Sequence, residues 1–297
     1  MHIPVMLNEV VQALEIKSDG IYVDVTMGYA GHAQAILKLI PQGKLIGLDK
    51  DQTALMYAKK ILQPIGTNFT LIHSDFRHLK TKLAELGINQ IDGLIADLGL
   101  SSPQIHDPDR GFSYAKVGLL DMRMDQSQTL KAADVVNEWS KEQLVAIFKN
   151  YADVKNASQI ANAIIENRPI ATTLELVEII KSALPAKLIR QKNPAKTVFQ
   201  AIRIAVNDEF AAIKALLKDA ISLLKPQGVL VLISFHSLED KLIKEFIGPL
   251  MQPQWDYKVP LQEKRQFKTK TVYPASSEVL TNYRSRSAKL RILKKLI

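Results

Sequence analysis

The chain contains no cysteine, which excludes a disulfide framework, a cysteine zinc site and thiol catalysis. No uninterrupted apolar run approaches the roughly 18 residues that a membrane-spanning helix needs. The opening "MHIPVMLNEVVQAL" also lacks a basic stretch followed by an apolar one. The expectation is a cytoplasmic protein with no membrane attachment. Histidines at 2, 32, 73, 78, 106 and 236 show no HExxH-type spacing, so no metal site is expected. A G-x-S-x-G elbow is missing too, and Ser237, His236 and Asp240 are too close in sequence to read as a hydrolytic triad.

What is present is a chain of 297 residues, 47% hydrophobic, enough for one large domain or two ordinary ones. The net charge of +9 is unevenly placed. Between Lys258 and Ile297 there are 11 Lys or Arg and only two acids, Glu263 and Glu278, so the preceding residues balance exactly and the last 40 carry the whole excess. A concentrated basic segment suits phosphate contact, since each neutralised phosphate releases counterions; a solvated, charge-rich terminus is the plainer alternative.

Four short apolar strands open the chain, "GIYVDVT", "KLIGLD", "FTLIHSD" and "IDGLIADLGL", with helical patterns "HAQAILKLI" and "QTALMYAKKIL" between the first three. This alternation predicts an α/β fold with a parallel sheet covered on both faces, whose ligands bind beyond the carboxyl ends of the strands. Strands then give way to helical periodicity. Thr172 and Glu175 stand at capping-box spacing, predicting a helix start there. One long helix, "TVFQAIRIAVNDEFAAIKALLKDAISLL", leads back to an apolar strand in "KPQGVLVLISFHS". The expected organisation is a discontinuous sheet domain, 1–104 and 195–297, interrupted by an all-helical insertion, 105–194.

"YVDVTMGYAGHA" runs from a strand through a glycine-containing turn into a helix, an arrangement shared by NAD, FAD and S-adenosylmethionine sites and also by plain tight connections. Asp49, 18 residues after Gly31, can accept hydrogen bonds from an adenosine ribose. Asp24 would repel a pyrophosphate and can face the ammonium group of S-adenosylmethionine, which tilts the reading toward that cofactor. The fourth strand ends in "ADLGLSSPQ", placing Asp97, Ser101, Ser102, Pro103 and Gln104 where chemistry is expected. An exocyclic amine such as that of cytosine is a poor nucleophile because its lone pair is delocalised. Acceptors on its protons, a Ser102 hydroxyl for example, localise that pair, and orientation does most of the rest.

"HIPVMLNEVV", "GHAQAIL", "DGLIADLGLSSPQ", "RGFSYA", "LDMRMDQS", "TVFQAIRIAVNDE", "LISFHSLEDKLIK" and "RSRSAKLR" resemble, in order and across the chain, the signature blocks of the small-subunit ribosomal RNA methyltransferase H family (RsmH, formerly MraW). The resemblance implies a class I, Rossmann-like sheet with a helical insertion. It further implies S-adenosylmethionine-dependent methylation of the cytosine N4 amino group at a decoding-centre cytidine of 16S RNA. The implied cofactor contacts are Ala30, Gly31, His32, Asp49, Phe76 (packing on adenine), Asp97 and Gln104. Asp97 and Ser102 are the candidate catalytic residues. Arg284 and Arg286, two apart in an expected extended segment, are the candidate RNA contacts. The implied partner is small-subunit ribosomal RNA within a ribosomal particle, with the enzyme a monomer or homodimer. Two departures stand out: the family's G-R-G-G-H is G-Y-A-G-H here, and P-A-T-R becomes Pro194, Ala195, Lys196, Thr197. Alternatives are an amino-methyltransferase acting on another nucleic acid, or an assembly factor that binds RNA and retains the cofactor without turnover.

Overall fold

The computed structural model describes residues 3–191, 193–252 and 265–297; His2 and the Lys258–Lys264 part of the basic segment lie outside the described residues. The chain divides into two compact units, 1–99 with 210–297, and 100–209.

The first unit is built on seven strands: β1 (Ile21–Asp24), β2 (Lys44–Asp49), β3 (Phe69–His73), β4 (Ile91–Asp97), β5 (Leu224–Ser234), β6 (Phe267–Val272) and β7 (Lys289–Lys295). Their order is β3-β2-β1-β4-β5-β7-β6. The first five are parallel, and β7 and β6 join antiparallel. Alternate residues feed two separate cores. Val23, Ile46, Leu48, Leu94 and Ala96 point to one face, and Tyr22, Leu45, Ile95, Val231 and Ile233 to the other. Burial on both faces explains why these strands read as unbroken apolar runs rather than as alternating ones. Each such side chain contributes about 1.5–3 kcal/mol on leaving water. The chain reverses direction of winding between β1 and β4, and loops diverging at such a point open the crevice where ligands bind in sheets of this kind.

The carboxyl-terminal segment extends the sheet. "AKLRIL" forms β7, which lies inside the sheet between β5 and β6 and is not an edge; Leu290 and Leu293 are buried toward opposite cores. The edge is β6, a strand whose exposed Lys268 and Lys270 interrupt any apolar signal.

The second unit packs its helices around one apolar core containing Phe112, Val136, Phe148, Ile160, Val177, Phe199 and Ile202. Thr172 and Glu175 form the anticipated capping box at the start of helix Thr173–Ser182. The anticipated single long helix is two, Pro194–Asn207 and Glu209–Leu223, broken at Asp208 in the left-handed region (φ 48°, ψ 44°). Asn207 makes the break worthwhile. Its side chain donates to the Met122 carbonyl at 2.8 Å and accepts from the Met124 N–H at 2.8 Å, satisfying buried backbone groups of a distant segment. The unit boundary falls at this break and at Gly99/Leu100, which corrects the expected borders at 104 and 195. The physical reason is the apolar face of the first helix: Ala195, Val198, Phe199, Ala201, Ile202 and Val206 bury themselves in the helical core.

Candidate active site

The turn after β1 is held by its neighbours. Gly28 adopts φ +47°, a conformation side chains rarely take, and its N–H donates to Asp49 Oδ2 at 2.7 Å. Asp49 Oδ1 accepts from the Asp51 N–H at 2.8 Å. Asp49 therefore fastens the β1 turn to the start of helix Gln52–Leu62, whose N-cap Asp51 accepts from Thr53. Each Asp49 oxygen keeps one lone pair beyond these bonds.

The residues read as cofactor contacts at this turn also carry structural contacts of their own. The Ala30 N–H donates to the Met27 carbonyl at 2.8 Å, because Ala30 sits in the left-handed region (φ 59°) and closes the turn. Packing requires glycine at 31, since a Cβ there would meet Pro4 at 2.6 Å. The buried His32 ring bonds the Val5 carbonyl at 2.9 Å, tying the amino-terminal segment to helix Gly31–Leu39. Tyr29, standing where the family has arginine, stacks on Tyr57 with ring centroids 5.0 Å apart, and Lys60 lies over the Tyr57 ring. Phe76 begins a short 3-10 turn, Phe76–His78, and remains partly exposed while packing against the sheet core.

At the carboxyl ends of β1 and β4 the structure brings together Asp24 and Asp97. The link is Thr26, whose hydroxyl accepts the Asp97 N–H at 2.6 Å and lies 3.4 Å from Asp24 Oδ1. Asp24 Oδ1 also accepts the Thr26 N–H. Burial, with the nearby charge of Asp49, pushes the Asp24 carboxyl up to about 7. Asp97 rises further, to about 8, through burial and then the charges of Asp24 and Glu239. Its Oδ1 is sealed from solvent and has no hydrogen-bond partner. Burial likewise raises Asp49 to about 6, against the lowering effect of its two backbone bonds. A cluster of costly carboxyls at one end of a parallel sheet can favour a cationic or hydrogen-bond-donating ligand.

Glu239 completes this corner. It accepts from the Phe235 and His236 N–H groups through Oε2, while His236 Nδ1 accepts the Glu239 N–H, a reciprocal cap at the head of helix Ser237–Leu250. His236 is thus a capping residue. Asp240 pairs instead with Lys289 at 3.1 Å and Arg291 at 2.6 Å, so no triad forms. Thr26 and Glu239 were both missed in the sequence, although Glu239 stands at capping-box spacing from His236.

In the second unit, Ser102 heads the short helix Ser102–His106, and Gln104 Oε1 accepts the Ser101 N–H at 3.0 Å. Gln104 is therefore engaged in its own helix cap. Among the described residues no cluster of His, Asp and Glu suits a metal ion, and no helix is long and apolar enough to cross a membrane.

The expected RNA contacts also shift. Arg284 and Arg286 lie in a 3-10 turn, Tyr283–Ser287, not in an extended segment, so two residues of separation no longer place them on one side. Arg286 donates to Tyr283 Oη at 2.7 Å and lies over its ring. Arg284 is half-buried, and burial lowers its pKa. Further along, Lys289 and Arg291 pair with Asp240 and Lys294 pairs with Glu15, so part of the basic excess fastens β7 to the body of the unit.

The raised carboxyls predict an unusual pH profile. Each takes up a proton on folding, because its folded pKa exceeds the value near 3.8 of the unfolded chain. Their stabilising protonation is complete below about pH 4 and is lost as pH rises through about 6, 7 and 8 in turn. Asp92, Asp121 and Asp240, lowered by their cationic partners, act oppositely and lose stability only in strong acid. Denaturant titrations of the unliganded protein should show stability falling by about 2–4 kcal/mol between pH 6 and pH 8. A flat or rising profile would contradict the burial of Asp24 and Asp97.

Comparison with known proteins places these features in a lineage. Residues 1–296 match the model of the MraW methylase family. The Ribosomal RNA small subunit methyltransferase H of Mycoplasmopsis agalactiae is 54% identical over 296 residues, covering 100% of this chain and 99% of the relative. Its counterpart in Mycoplasmopsis synoviae is 53% identical over 295 residues, covering 99% and 98%. Among solved structures, a rRNA methylase from Streptococcus thermophilus aligns over 100% of this chain and 99% of its own, with 13% identity and a TM-score of 0.47. With its whole length matched by the family model and by relatives above 50% identity, the chain belongs to the MraW methylase family.

Proposed function

We propose that this protein is an S-adenosylmethionine-dependent methyltransferase of small-subunit ribosomal RNA, acting on the N4 amino group of a decoding-centre cytidine. Family membership supports the methylase assignment, and the observation that carries the site is the unpartnered Oδ1 of Asp97 beside buried Asp24 at the topological switch point. The residues fit the cofactor. Asp49 retains lone pairs for ribose hydroxyls, Phe76 keeps an exposed face for adenine, and the Asp24 and Asp97 carboxyls favour a cationic amino-acid end. When bound, S-adenosylmethionine supplies an electrophilic methyl group on a sulfonium.

The protein's own contribution is acceptance and orientation. Asp97, in its ionised form, accepts a hydrogen bond from the amine and draws its lone pair out of conjugation. A carboxyl whose pKa is raised to about 8 is also matched to hold the proton that the amine releases once methylated. Ser102 and Gln104, on the helix that follows β4, belong to the same reading as an acceptor and a cofactor contact.

The test is methyl incorporation. Small subunits isolated from cells lacking this activity, incubated with the enzyme and labelled cofactor, should yield N4-methylated cytidine on nuclease digestion. Label in another base, or only in DNA or messenger RNA, would overturn the assignment.

A further inference from the structure

Beside the carboxylate corner lies a second feature that the methyl-transfer chemistry does not use. The end of β5 and the following turn, together with the segment from Tyr273 to Lys289, enclose a cavity of about 470 Å³. Its walls include Ser234, Phe235, His236, Tyr273, Arg286 and Lys289. The volume falls in the range of small-molecule sites, near 300–1,000 Å³, and is too small for a duplex.

Four properties of the lining point to one ligand class. Ser234 is 1% exposed, yet its hydroxyl has no hydrogen-bond partner, which is rare for a buried polar group without a purpose. His236 Nε2 is also sealed and has no hydrogen-bond partner, with Glu239 Oε1 lying 3.0 Å away. Tyr273 presents an aromatic ring that is 63% exposed, and Phe235 supplies a second apolar wall. The charge is positive. Arg286 is held by the Tyr283 ring and hydroxyl rather than by a carboxylate, so it is oriented without being neutralised. Lys289 shares the single charge of Asp240 with Lys244 and Arg291, leaving a local surplus. Aromatic face, unmet hydrogen-bonding groups and surplus cations together are the recognition chemistry of an unpaired nucleotide, whose base stacks while its phosphate meets the guanidinium.

Position in the sheet says which nucleotide. Asp97 on β4 is paired in register with Ile233 on β5, and Ser234 is the next residue. Neighbouring strands are about 4.8 Å apart. A nucleotide in the cavity is therefore the neighbour of a base presented over Asp97.

We infer that this cavity is a subsite for one unpaired nucleotide flanking the methylated one, with Tyr273 stacking on its base, Ser234 and His236 reading its polar edge, and Arg286 and Lys289 meeting its phosphate. The inference rests on the RNA-methyltransferase reading above but is testable apart from it. A single-stranded RNA pentamer carrying 4-thiouridine, cross-linked by light to the full-length protein, should attach within residues 234–237 or 273–289. Attachment only elsewhere would overturn the subsite. Tyr273→Ala should weaken pentamer binding about 10-fold and Tyr273→Phe should restore it, since stacking needs the ring and not the hydroxyl. For the ribosomal substrate the same change should raise KM while leaving cofactor affinity unaltered. Equal binding by all three proteins would also overturn the subsite. Failure of methylation with cross-linking retained would count against the methyltransferase reading alone.

Discussion

Asp97→Asn is expected to make the protein more stable and nearly inactive. At neutral pH the wild-type carboxyl is held in a place where its charge is disfavoured by burial and by Asp24 and Glu239, and its Oδ1 has no partner. An amide of the same shape has no ionisation to suppress and no proton to take up on folding, while the backbone bond from Asp97 N to the Thr26 hydroxyl is untouched. The gain should be about 2 kcal/mol at pH 7, well below what the full shift implies because the residue is partly exposed. Most of the fall in stability between pH 7 and pH 8 should vanish with it. Activity should move the other way. An amide can neither draw the amine's lone pair as strongly nor take its proton, and loss of such a group commonly costs on the order of 100-fold or more in rate. The measurement is single-turnover methyl transfer at saturating cofactor, beside a denaturant titration of the same preparation. An unchanged rate would make Asp97 purely structural, and a lower stability would mean that its burial is compensated by contacts other than those seen. Opposed movement of the two quantities is the signature of a site that stores instability for function.

The architecture was legible where periodicity and burial agree. β1, β2, β4 and β5 read as strands because both faces of each are covered, and the capping residues Thr172 and Glu175 fixed a helix start from side-chain chemistry alone. The carboxylates Asp24, Asp49 and Asp97 were legible because a charged residue closing an apolar strand is conspicuous. Other features depend on tertiary contacts that local pattern does not carry. The helix break at Asp208 is set by Asn207 bonding to Met122 and Met124, more than 80 residues away, so local propensity saw one helix. The unexpected edge strand β6 is defined by its pairing with β7 and has exposed lysines on its outward side. Ala30 and Gly31, which the family resemblance makes cofactor contacts, also carry structural constraints: the Ala30 N–H closes the turn on the Met27 carbonyl, and Pro4, from the amino-terminal segment, leaves no room for a Cβ at Gly31. The basic tail was legible as charge but not as geometry, since the carboxylates that engage it, Asp240 and Glu15, lie far off in sequence.

Asp49→Ala is expected to lower cofactor affinity about 30- to 1,000-fold, the loss of roughly 2–4 kcal/mol attributable to two hydrogen bonds on a charged acceptor. The structure adds a second route to the same loss, because the carboxylate also receives the Gly28 and Asp51 N–H groups and so shapes the turn against which the ligand lies. Global stability should change little. The substitution removes two charge-assisted backbone bonds but also a carboxyl whose burial has raised its pKa to about 6, and the two effects oppose each other. The routes separate on conservative replacement. Asp49→Asn keeps one acceptor oxygen, enough to bond either Gly28 or Asp51 but not both, and should fall between wild type and alanine. Amide hydrogen exchange at Gly28 and Asp51 reports the turn directly. If exchange there stays slow in Asp49→Ala while calorimetric titration shows the affinity loss, the ribose contact dominates; if exchange quickens in proportion to the loss, Asp49 acts chiefly by holding the turn. Affinity equal to wild type in both variants would remove Asp49 from the cofactor site altogether.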